Sequence, residues 1–207
     1  LIEILRVLYD DFLKYNSKKP QDKFRDKLIL SKGHGCLALY ALLADKKFFS
    51  KKILRSSSKF NSILGGHPEF GKVPGVEAST GALGHGPAIG VGMAIGAKLN
   101  KLNNKTYVIV GDGEINEGSF WESSMIASKH KLNNLHIIID YNKIQSYGKT
   151  KEVLDLEPLK KKLESFGYKV SEINGHCINQ LNRYFKKIKN NKEKPTALIC
   201  HTIKGKG

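Results

Sequence analysis

The sequence predicts an α/β fold, a parallel β-sheet with helices on both faces, and two observations lead there. Short β-branched apolar runs alternate along the chain with helix-length segments, the order that builds a parallel sheet rather than a sandwich or a bundle. In the middle, the runs at 107–110 and 136–139 enclose one helix-length stretch, so 107–145 reads as a strand–helix–strand unit whose two strands end on the same sheet edge.

Taken in order, residues 1–15 carry Leu1, Ile4, Leu5, Leu8, Phe12 and Leu13, the spacing of a helix with one buried stripe, stopped by polar residues and Pro20. Residues 26–35 read as a short strand ending at His34 between two glycines. Residues 36–45 form a helix, followed by a helical patch at 49–55. The stretch 65–86 holds seven glycines with His67, Glu69, Glu77 and His85 but no helical or strand period. Loops of that length inside a compact domain are usually functional or disordered, and this composition favours a functional one. A helix over 87–99 opens on a proline. Its small residues recur at Ala88, Gly92 and Gly96, and again at Gly86, Gly90 and Ala94, which suggests close backbone packing at a subunit interface. After the central unit, 149–154 reads as a loop, 157–166 as a helix, 168–173 as a strand, 178–189 as a helix and 195–203 as a last buried strand. The glycines at 84–90 imitate a nucleotide-binding loop, but no strand precedes them and their spacing is one residue too long.

At 207 residues and 40% apolar content, the chain suits one well-buried domain, 1–207, with a short N-terminal piece expected upstream. No apolar run approaches the roughly 18 residues of a membrane span, so the expectation is a soluble, cytoplasmic protein without membrane partners. Cys36, Cys177 and Cys200 are odd in number and form no CxxC pair, which argues against a disulfide framework or a zinc site. The net charge of +16 comes mostly from scattered lysines without aromatic interleaving. It reads as a solvated lysine face, and no nucleic-acid partner is expected.

The chemistry concentrates at the shared strand edge, where open α/β sheets bind ligands. Asp112 follows the first central strand and Asn142 the second. With the backbone carbonyl of Ile144 they make a hard, oxygen-only, incomplete set, which suits Mg²⁺ completed by water and substrate phosphate. Gly113 lets an anion approach the backbone, and the following helix start offers free N–H groups. Read alone, His34 is more often a turn residue, and a GDG turn followed by an Asn turn is a common loop pattern.

The GDG at 111–113, followed by twenty-eight residues and Asn142, resembles the thiamine diphosphate signature. Five blocks in register, SKGHG (31–35), GGHPE (65–69), GVEASTGALGHG (75–86), GDGEINEG (111–118) and DYNKIQ (140–145), are similar to the pyrophosphate-binding half of transketolases, as is the closing HTIKGKG. The resemblance implies the thiamin diphosphate-binding fold, with thiamine diphosphate and Mg²⁺ as cofactors. By it, Asp112, Asn142 and the Ile144 carbonyl hold the metal and the Gly113 N–H meets the diphosphate. His34 lies by the diphosphate and thiazolium, His67 bonds the donor sugar, and Gly81 and Leu83 contact the cofactor rings. Glu117 and Glu122 link two active sites across a dimer, although both also fit a capped, solvated helix start. Of these, His34, His67 and Glu117 are the candidate catalytic residues.

Departures accompany the match. Ala82 stands where the family usually has Pro and His85 where it has Gln. An upstream Gly-His-Pro block and a histidine after the last strand are missing. The glutamate that tautomerises the aminopyrimidine belongs to a second domain. The resemblance therefore implies an N-terminal subunit or fragment that needs a pyrimidine-binding (C-terminal) partner, as a homodimer or α2β2 assembly. That assembly would move a two-carbon ketol unit between sugar phosphates in carbohydrate metabolism of the pentose phosphate type. The alternatives are a non-catalytic basic binding protein, a degenerate scaffold protein, or the subunit of a 1-deoxyxylulose-phosphate synthase-like or α-keto acid dehydrogenase-like (E1) thiamine enzyme.

Overall fold

The computed structural model describes residues 1–206, so the last glycine of the closing HTIKGKG lies outside the described residues. In chain order the elements are α1 (Ile2–Val7), β1 (Lys27–Leu30), α2 (Cys36–Asp45), α3 (His85–Leu99), β2 (Thr106–Gly111), α4 (Gly118–Lys129), β3 (Leu135–Tyr141), β4 (Ile144–Gln145), β5 (Gly148–Lys149), α5 (Thr150–Val153), α6 (Leu159–Ser165), β6 (Lys169–Asn174), α7 (Ile178–Ile188) and β7 (Thr196–His201). The main sheet is five-stranded and runs β1-β2-β3-β7-β6. Every pairing in it is parallel, with Gly111 of β2 beside Asp140 of β3. The expected fold class is the one observed.

All six residues of β2 and all seven of β3 are buried. Alternate side chains feed two cores. Tyr107, Ile109, Ile138 and Leu198 pack with α1, α2 and α7 on one face; Val108, Val110, Ile137, Ile139 and Ile199 pack with α3, α4 and α6 on the other. Strands covered on both faces must be apolar at every position, which is why these runs read so clearly. β6 is an edge strand with no buried residue, and its sequence is correspondingly polar.

Several local expectations change. The α-helix expected over 1–15 stops at Val7; Leu8–Phe12 widens into a π-helical turn, and Leu13 is extended, its N–H reaching the Leu8 carbonyl at 2.8 Å. The patch at 49–55 is a 3₁₀ helix, Lys51–Ser56. The segment 144–154 holds the small β4–β5 hairpin and the single turn α5 rather than loop alone. α6 begins at Leu159, after Pro158, with the Glu157 carboxylate accepting from the Leu159 N–H at 3.0 Å.

The two small-residue stripes of α3 part company. Gly86, Gly90 and Ala94 face inward, and a Cβ on Gly90 would run into the Val108 side chain. Gly92 and Gly96 have nothing within 4 Å of an added Cβ, so the helix is packed on one side only.

Candidate active site

Because β1, β2 and β3 run parallel, the segments that follow them emerge at one edge of the sheet. The Asp112 carboxylate, 2% exposed, accepts from Gly113 N–H at 2.8 Å through Oδ1 and from Lys143 N–H through Oδ2. The residue beside Asn142 is thus bonded to Asp112. Asn142 Oδ1 accepts from Ile144 N–H at 3.0 Å, curling the loop back toward the same edge. Ile144 opens the β4–β5 hairpin opposite Lys149. A Cβ on Gly113 would lie 2.8 Å from the Gln145 Cβ, so the glycine is where the GDG turn and the DYNKIQ loop touch. Burial raises the pKa of Asp112 more than its two N–H donors and Lys32 lower it.

The histidines converge on a second corner of this edge. His34 sits on a single 3₁₀ turn, Gly33–Gly35, directly after β1. The His67 ring lies against two glycines: its Cδ2 would stand 2.8 Å from a Cβ on Gly33 and 3.0 Å from one on Gly81. Only glycine allows that contact, and Gly81 is also at φ +144. Tyr40 Oη donates to the His67 carbonyl at 2.8 Å, and Thr80 Oγ1 donates to the Leu30 carbonyl at 2.8 Å, so the loop is pinned to the strand end. Desolvation, then the Lys32 ammonium and His67, hold the His34 pKa below the usual imidazole range. His34 is therefore a neutral imidazole at pH 7, able to accept a proton.

Leu83 is 42% exposed. Gly84, at φ +78, is pressed against Glu117 and Ser119. Glu117 is the N-cap residue of α4 but makes no side-chain cap bond, and both it and Glu122 are exposed. His85 is exposed, with Nδ1 3.1 Å from the Leu83 carbonyl.

Sequence reasoning passed over two groups. Lys32 Nζ pairs with Asp140 Oδ2 at 2.8 Å, and Thr202 Oγ1 donates to Asp140 Oδ1 at 2.6 Å. Burial pushes the Asp140 carboxyl up, but Lys32 and the other donors together bring it below its usual value. Glu114, 3% exposed, accepts from Ser31 Oγ, from Gly84 N–H at 3.0 Å and from Gly111 N–H at 3.1 Å. Its signal was readable: Glu three positions after Gly111, at a turn start, is the spacing at which a carboxylate bonds back to a backbone N–H.

A family model described as the thiamine diphosphate binding domain of transketolase matches residues 1–207. The chain belongs to the transketolase family. Within it, the chain is 45% identical over 206 residues to one subunit of an apulose-4-phosphate transketolase from Phocaeicola vulgatus, spanning 100% of this chain and 73% of that protein. It is 39% identical over 207 residues to one subunit of a 6-deoxy-6-sulfo-D-fructose transketolase from a Clostridium species, of which it spans 75%. The transketolase structure from Leishmania mexicana superposes with a TM-score of 0.91 at 32% identity, over 96% of this chain and 32% of that one. The chain thus spans about a third of that solved transketolase. Among the described residues, no helix is long and apolar enough to cross a membrane.

Proposed function

We propose that this thiamine diphosphate-binding transketolase domain grips Mg²⁺ and the cofactor diphosphate through Asp112, Asn142, the Ile144 carbonyl and the Gly113 N–H. The observation that carries the reading is the bond from Lys143 N–H to the Asp112 carboxylate, which joins the GDG turn to the Asn142 loop at one sheet edge. The donor set fits a hard divalent ion. Its members are oxygens, one of them an anion, and Asp112, Glu114 and Asp140 are all buried, with Lys32 paired to Asp140. Among the described residues no three His, Cys, Asp or Glu gather as metal ligands, so water and diphosphate oxygens would complete the shell.

Thiamine diphosphate, when bound, supplies the carbanion and electron sink needed to cut and form a carbon–carbon bond next to a carbonyl. The chain's own residues orient and move protons. His34, held neutral, and His67, seated on Gly33 and Gly81, would accept and return protons on sugar hydroxyls. The backbone at Gly81 and the Leu83 side chain would line the cofactor rings.

The reaction is transfer of a two-carbon ketol unit from a ketose phosphate to an aldose phosphate, completed by a pyrimidine-binding partner. The relatives described as transketolase subunits that act on modified sugars support this reading over the synthase-like and dehydrogenase-like ones. Titration of thiamine diphosphate into the chain assembled with its pyrimidine-binding partner, with and without Mg²⁺, tests it. Binding should require Mg²⁺ and disappear in Asp112→Ala, and unchanged Mg²⁺-dependent binding by that variant would refute the assignment.

A further inference from the structure

We infer that Glu114 is a positioning residue: one buried carboxylate that holds the three cofactor-facing segments in register. Each of its bonds goes to a different segment. Ser31 follows β1 and leads into the His34 turn. Gly84 closes the long loop that carries His67, Gly81 and Leu83. Gly111 ends β2 and leads into Asp112 and Gly113. The three lie apart in sequence, and among the described residues no other side chain bonds all of them. The inference deepens the proposed function and rests on it for the identity of the ligand.

The chemistry calls for a carboxylate. Glu114 is 3% exposed, and burial raises its pKa against the pull of its three donors and Lys32. A buried carboxylate persists only where it is fully bonded, and bonds to a charged acceptor are stronger and more directional than neutral ones. Oε1 receives Ser31 and Gly84 while Oε2 receives Gly111, so both oxygens are committed. Gly84 sits at φ +78 at the N-terminus of α3, packed against Glu117 and Ser119, and its N–H is committed to Glu114. An amide in place of the carboxylate would point an N–H₂ at one backbone N–H, and one of the tethers would be lost.

Glu114→Gln in the full-length protein tests this with two readouts. In amide hydrogen exchange without ligand, Gly84 and Gly111 should lose protection while the centre of β3 keeps its own. In titration with thiamine diphosphate and Mg²⁺, the variant should bind about tenfold more weakly, the loss expected for one charge-assisted bond. Protection lost evenly through β2 and β3 would mean a general stability role and overturn the inference. So would a variant that binds the cofactor as tightly as the parent. Should Glu114→Gln fail to fold, Ser31→Ala removes a single tether and should raise exchange at Gly84 alone to a smaller degree; no change there overturns the inference. Failure of the parent, assembled with its pyrimidine-binding partner, to bind thiamine diphosphate would count against the proposed function, while the exchange result would still decide the role of Glu114.

Discussion

The His136 imidazole is 1% exposed, its Nδ1 2.8 Å from Thr196 Oγ1 and its ring 4.9 Å from that of Tyr107. Burial pushes its pKa down to about 3, against about 6.5 in an unfolded chain. Between those values the unfolded state binds the proton and the folded state does not. The stability His136 contributes is therefore present above about pH 6.5 and falls as pH drops toward 3, by roughly 1.4 kcal/mol per unit at most. Glutamine there should keep the Thr196 bond without titrating. The urea midpoint of the parent should fall between pH 7 and pH 5 relative to that of His136→Gln; parallel curves would assign the acid sensitivity elsewhere. Glu77 makes a different demand. Its side chain is 5% exposed and pairs with Arg25, itself 6% exposed, and with Lys27 at 3.3 Å. Glu77→Ala strands the Arg25 charge in the interior and should cost about 3–5 kcal/mol in chemical denaturation, as removal of one buried partner does.

Among the elements, α3 separates packing from propensity within a single turn. Gly90→Ala drives a methyl group into Val108 and should destabilise by about 1–3 kcal/mol, the usual cost of overpacking. Two residues on, Gly92→Ala adds a methyl group in open space and should stabilise the isolated chain by up to about 1 kcal/mol through helix propensity. Thermal melts of the pair check both signs, and equal effects would mean that the two stripes are not distinct. The sequence carried the doubly covered strands plainly, because burial on both faces demands unbroken apolar runs. It carried the meeting of the GDG turn and the Asn142 loop too, since both fall just past parallel strands that end on one sheet edge. It did not disclose the π-helical turn at Leu8–Phe12, where the apolar spacing still looks helical. Nor did it disclose the β4–β5 hairpin, whose strands are two residues each and too short for any period. Of the Glu114 bonds the sequence signals just the local one to Gly111, three residues back; Ser31 and Gly84 reach it from far along the chain, where a hydroxyl and a backbone amide carry no residue-type signature.

In the molecule as a whole, the helix layer over one face of the sheet leaves its own outer surface open. α3 and α4 pack together over that face, and they expose Ile89 at 36%, Leu99 at 78%, Met125 at 56% and Ile126 at 46% beside the open Gly92 and Gly96. Exposed apolar side chains along a helix pair with glycine gaps suit docking of another backbone, and a second copy of this chain is the expected occupant. The net charge of +16 opposes such pairing at long range. Two contributions can be told apart by salt. Repulsion between like-charged copies is screened within about 10 Å at 0.1 M ionic strength, whereas apolar contact is not weakened by salt. Self-association measured by analytical ultracentrifugation should therefore tighten between low and moderate ionic strength; an interface held by ion pairs would loosen instead. Gly92→Arg places a bulky charge in the gap without touching the core. It should shift the distribution to monomer at every ionic strength while leaving the denaturation midpoint of the isolated chain nearly unchanged. Persistence of the assembly in that variant would move the interface to another face of the sheet.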